Sequence, residues 1–110
     1  MYIDFDSIKT TEIKNFKGGE KITFADMFDD GSVKIMRGRL ESGASIGMHT
    51  HEENCEIIYI LSGNGKVKYD DTVEKLTVGS CHYCPKGHSH SLVNDSDDDL
   101  IFFAVVPEIK

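Results

Sequence analysis

The stretch His49-Thr50-His51-Glu52-Glu53-Asn54-Cys55-Glu56-Ile57-Ile58-Tyr59-Ile60-Leu61-Ser62-Gly63-Asn64-Gly65 decides how the rest of the chain is read. Ile57 to Leu61 is a short, unbroken apolar run, the composition of a strand covered on both faces. Ser62-Gly63-Asn64-Gly65 ends it with residues that tolerate positive φ and so form a turn. Upstream, His49 and His51 stand two apart; on a strand they project from one face, with Cα atoms about 6.5–7 Å apart. Glu52 to Cys55 can turn the chain, so that Glu56 opens the next strand and returns its carboxylate beside the two imidazoles.

Outward from this centre the same grammar continues. Helical periodicity is poor, and short β-rich runs alternate with Gly, Asn and Asp turns, the signature of an all-β sandwich or barrel. Strands are expected at Thr23–Phe28, Val33–Leu40, Ser45–His49, Glu56–Leu61, Lys66–Tyr69, Glu74–Thr77, Ser80–Cys84, Ser89–Val93 and Leu100–Val106. Asp70-Asp71 and Pro85-Lys86-Gly87 read as further turns. Residues 1–20 carry weak alternation at Tyr2, Ile3, Phe5 and Ile8, which suggests an N-terminal edge strand or extension. Leu100 to Val106, like Ile57 to Leu61, is apolar on both faces. The outward face of such a strand needs a second sheet or another subunit, so a homodimer is expected.

The 110 residues fit one domain spanning 1–110, with a single hydrophobic core. A formal charge of −7 argues against nucleic-acid or anionic-membrane partners, both of which need clustered Lys and Arg. Much of the negative charge sits in Asp95-Ser96-Asp97-Asp98-Asp99, read as a solvated turn. No N-terminal stretch resembles a signal peptide and no apolar run nears the roughly 20 residues that span a bilayer; a cytoplasmic location is therefore expected. Three cysteines, an odd number, do not suggest a disulfide framework.

His90 arrives from a distant strand just after the Pro85–Gly87 turn. Together His49, His51, Glu56 and His90 offer three imidazole nitrogens and a carboxylate, a donor set suited to one divalent ion: Fe, Mn, Ni, Cu or Zn. Gly43 through Glu56, continuing to Gly63, resembles the first motif of the cupin superfamily, G-x5-H-x-H-x4-E-x6-G. Gly79, Pro85, Gly87, His90 and Asn94 resemble its second, G-x5-P-x-G-x2-H-x3-N. Every defined position of both patterns is filled, and residues 43–94, about half the chain, form this two-motif core. The short spacer from Asn64 to Val78 is similar to that of small single-domain bacterial cupins. The resemblance implies a six- to eight-stranded jelly-roll barrel with His49, His51, Glu56 and His90 as metal ligands. It also implies two coordination positions left for water, substrate or dioxygen, as a catalytic site requires.

Other residues admit two readings each. His88 is the candidate general acid/base near the pocket mouth, or else an exposed turn residue. His82 and Cys84 share one strand face and either line the cavity or simply pack. Cys81 and Cys84 have C-x-x-C spacing but point to opposite faces of a strand, which speaks against a redox pair. Strand parity turns Cys55 away from the metal and Tyr59 outward. Arg37 or Arg39, if turned inward, would bind a carboxylate or phosphate substrate; on the outer face they are surface residues. Ile46, Met48, Phe102 and Ala104 are expected in the core or cavity.

Three functions fit these features. The first is a metal-dependent enzyme acting on a small organic molecule, of oxygenase, decarboxylase, isomerase or lyase type. The second is a non-catalytic module that binds a sugar, organic acid or other small molecule. In the third, the metal only braces the barrel. Fold resemblance alone does not choose among chemistries.

Overall fold

Two antiparallel sheets carry the fold of residues 1–109, the residues described in the computed structural model. In chain order the strands are β1 (Thr11–Lys14), β2 (Ile22–Asp29), β3 (Val33–Leu40), β4 (His49–Thr50) and β5 (Glu56–Ser62). They continue as β6 (Gly65–Tyr69), β7 (Thr72–Leu76), β8 (Cys81–Cys84), β9 (Ser89–Val93) and β10 (Leu100–Pro107). One sheet has the order β1-β2-β3-β10-β5-β8 and the other β4-β9-β6-β7, the double-sheet arrangement of a jelly-roll barrel.

The core follows from strand alternation. Leu100, Phe102 and Ala104 of β10 and Ile58 and Ile60 of β5 point inward and are buried, where they meet Leu40, Val67, Leu76 and Leu92. Phe102 lies opposite Gly38, and a Cβ at that position would sit 2.3 Å from the Phe102 ring. The glycine thus clears the space that the largest core side chain fills. Arg37 and Arg39 face outward: Arg37 pairs with Asp26 and Asp6, and Arg39 lies over the Phe24 ring at 4.0 Å.

The N-terminal edge strand is Thr11–Lys14, paired with β2. The alternation at Tyr2, Ile3, Phe5 and Ile8 does not form a strand; Phe5–Ser7 is a 3-10 turn whose preceding Asp4 side chain accepts from the Asp6 amide. Phe5 packs edge-on against Phe103, with ring centroids 5.2 Å apart. It thereby covers part of the outward face of β10.

The expected strand Ser45–His49 is also redrawn. Ser45 makes an isolated bridge to Val93, and regular pairing resumes only at His49–Thr50. Between them Gly47 donates to the Phe16 carbonyl, and a Cβ there would lie 2.0 Å from the Lys17 carbonyl oxygen. This close approach of the N-terminal segment interrupts the alternation, so Ile46 and His49 both face inward while Met48 is exposed. The expectation of a buried Met48 is corrected accordingly.

Candidate metal centre

Strand pairing brings the four candidate ligands together. His49 of β4 lies directly opposite His90 of β9, so their side chains share one face. His51 follows β4, its amide donating to the His88 carbonyl. Glu56 opens β5 in the other sheet, opposite Cys84. The cluster therefore spans the two sheets, three imidazoles from one and a carboxylate from the other. The three rings form a nearly equilateral triangle, with centroids 4.7–4.9 Å apart and each pair edge-on.

Each imidazole has its Nδ1 engaged outside the cluster. His49 Nδ1 donates to the Gly47 carbonyl at 2.7 Å, and His51 Nδ1 faces the Asn54 side-chain oxygen at 2.5 Å. His90 Nδ1 meets His82 Nε2 at 3.0 Å. A neutral imidazole that donates from Nδ1 presents a bare lone pair at Nε2. Those Nε2 atoms converge: His51 and His90 are 2.9 Å apart, and Glu56 Oε1 is 3.1 Å from His51, 2.9 Å from His90 and 3.9 Å from His49. Acceptors at this spacing need a cation or a proton among them. Two donors bound side by side to one ion at about 2.1 Å stand about 3 Å apart, so the residues fit a divalent metal.

The electrostatics agree with the geometry. Burial alone would raise the Glu56 carboxyl, but His49, His51 and His90 outweigh it and hold it well below the usual carboxylate range. The hydrogen bond to Glu56 pushes His51 upward against its burial. His90 is pushed down by burial, offset only in part by Glu56.

The cluster forms the polar end of a cavity of about 440 Å³. Its apolar wall includes Ile13, Phe16, Met27, Met36, Leu92 and Val106, and the exposed Lys17, Lys34, Glu52 and Glu53 also border it.

The remaining candidates fall outside this cavity. His88 sits on the turn before β9, where its Nδ1 binds Asp70 at 2.6 Å and its ring stacks on Tyr69 at 5.6 Å. It lies on this turn and is not among the residues that line the cavity. His82 and Cys84 point inward and are buried, with Cys81 and Tyr83 exposed on the other face. They lie behind His90 and leave the cavity wall to others. Burial pushes the Cys84 thiol up to about 12, with the Glu56 charge adding to the effect.

Asn54 and Glu74 were not singled out in the sequence, and Asn94 was noted there only as a motif position. Asn54 supports His51. Asn94, fully buried, donates to the Leu40 and Asp98 carbonyls and accepts from Ser96, which anchors the acidic loop 95–99. Glu74 binds His82 Nδ1 at 2.7 Å. Of Asn54 and Glu74, only Glu74 carried a usable signal: it shares a strand face with Leu76, a core residue, so one face pairs a carboxylate with the interior.

This barrel carries an imidazole–carboxylate cluster that could hold a metal ion, and residues 36–106 match the family described as "Cupin domain". The chain belongs to the cupin family. It is 30% identical over 112 residues to the oxalate-binding protein of Thermotoga maritima, covering 96% of this chain and 93% of that one. It also superposes on the crystal structure of a predicted oxalate decarboxylase from Thermotoga maritima, with a TM-score of 0.92, 28% identity, and coverage of 99% of this chain and 100% of that one. An RmlC-like cupin from Shewanella frigidimarina shares the fold at a TM-score of 0.80 and 14% identity, covering 99% of this chain and 91% of that one.

Proposed function

We propose that this single cupin domain binds one divalent transition metal ion, Fe, Mn, Ni, Cu or Zn, through His49, His51, Glu56 and His90, and acts on a small organic acid held in the adjoining cavity. The observation that carries this reading is the convergence of His51 Nε2, His90 Nε2 and the Glu56 carboxylate oxygen at 2.9–3.1 Å, with His49 Nε2 3.9 Å from the same oxygen. When bound, the ion supplies Lewis acidity and coordination positions for a small anion. The chain's residues do the rest: the imidazoles and Glu56 orient, the apolar wall of Phe16, Met27 and Met36 excludes water, and Lys17 and Lys34 draw an anion inward. Similarity to an oxalate-binding protein supports a compact dicarboxylate as the ligand.

His49→Ala combined with His51→Ala is expected to abolish stoichiometric metal while leaving a folded barrel. Elemental analysis and circular dichroism measure both, and equal metal content in the two proteins would refute the assignment. Calorimetric titration of the metal-loaded protein with oxalate then tests the ligand class.

A second reading is a non-catalytic binding module. The similarity to a relative named for binding oxalate supports it. Carbon dioxide or another product released from bound acid identifies the enzyme; tight binding with the acid recovered intact identifies the module. The three free cysteines, Cys55, Cys81 and Cys84, suit the reducing cytoplasm.

A further inference from the structure

Behind His90 a second polar chain runs through the barrel interior. Glu74 on β7 meets His82 Nδ1 at 2.7 Å, and His82 Nε2 meets His90 Nδ1 at 3.0 Å. His82 and His90 are 2% and 1% exposed, so both rings are shielded from bulk solvent, whereas the Glu74 side chain is 43% exposed. β7 and β8 are edge strands of different sheets, so the chain also ties the two sheets together beside the metal cluster.

The hydrogens on this chain follow from its exposed end. An ionised carboxylate only accepts, so the neutral His82 carries its proton on Nδ1 and offers a lone pair at Nε2. That lone pair has one donor available, the Nδ1–H of His90. His90 is then left with a bare Nε2, the atom 2.9 Å from Glu56 and from His51 Nε2. We propose that Glu74 and His82 are positioning residues that set the tautomer and orientation of His90, and so the metal affinity of the site. Buried metal-binding imidazoles are held in this way by carboxylates elsewhere; here a second imidazole carries the effect inward from a carboxylate near the surface. The inference deepens the metal-binding reading and rests on it.

One competing arrangement uses the same atoms. Donor atoms of His82, Cys84 and His90 lie within 4.8 Å of one another and would suit a second metal. An ion between His82 and His90 would replace the hydrogen bond that joins them. The 3.0 Å separation of His82 Nε2 and His90 Nδ1 is that of a direct hydrogen bond, and metal stoichiometry tells the two arrangements apart.

Two measurements test the proposal. Long-range nitrogen-15 NMR of the metal-free protein at pH 8 reads the His90 tautomer, and Zn(II) titration against a chromophoric chelator reads affinity and stoichiometry. The wild type is expected to show His90 protonated at Nδ1 and to bind one Zn(II). Glu74→Ala, at a half-exposed position that should fold, is expected to mix the His90 tautomers and weaken Zn(II) binding about 10–100-fold. His82→Leu should do the same, and His82→Gln, whose amide oxygen can accept from His90, should recover much of the loss. An unchanged tautomer and affinity in Glu74→Ala overturns the proposal, as does a second Zn(II) that disappears in Cys84→Ser. If the wild type takes up no Zn(II) or other divalent ion, the functional reading fails, and the tautomer measurement still decides the role of Glu74.

Discussion

Two histidines two and eight residues from His90 have opposite fates. His82 is buried against His90 of the imidazole–carboxylate cluster, while His88 is half-exposed and bound to Asp70. Asp70 serves two donors at once, His88 Nδ1 and the Ser89 amide at 3.0 Å, which fastens the β6–β7 turn to the start of β9. His88→Ala should therefore leave metal affinity within about threefold of wild type, in contrast to the larger loss typical of residues that support a ligand directly. A Zn(II) titration of this variant checks it, and a loss as large as that at Glu74 would show that His88 belongs to the site.

At the scale of elements, hairpins hold the six-stranded sheet in register. The β2–β3 turn is organised by Asp30, whose carboxylate accepts from the Ser32 amide at 2.9 Å and the Val33 amide at 3.0 Å. Those two amides hold its pKa below the ordinary carboxylate value, against slight desolvation. A lowered folded-state pKa means that the contribution is present above the ordinary value of 3.8 and disappears as pH falls through the lowered one. Asp30→Asn, which keeps an acceptor oxygen without the charge, should be slightly less stable than wild type at pH 7. The difference should vanish near pH 2. Thermal melts at the two pH values measure it; a gap that persists in acid would mean that the charge is not the cause.

Among the described residues, an apolar face is left unpartnered. On the outer side of β5 and β8, Ile57, Tyr59, Leu61 and Tyr83 are 38–55% exposed, next to the outward Val105 of β10. Phe5 packs on Phe103, the cross-strand partner of Tyr59, and the patch remains exposed. Contiguous exposed apolar surface of this kind marks an interaction site, and we expect a homodimer across it. Light scattering at micromolar concentration should give twice the chain mass, and Tyr83→Asp should give the single mass. A monomeric wild type would refute the expectation.

The β-barrel class, eight of the strands to within two residues at either end, and all four residues that meet in the cluster were legible in the order of the amino acids. This is because alternation, turn glycines and ligand spacing are local, and because the two cupin motifs survive intact in His49 to Gly63 and Gly79 to Asn94. Only the tertiary structure decided that Met48 is exposed, since a contact between Gly47 and the distant Phe16 breaks the alternation there. Only it joined Glu74 to His90 through His82, because that chain crosses between edge strands of two sheets that no periodicity relates. Side-chain parity can be read along one strand; which strands face each other across a barrel depends on how the sheets close.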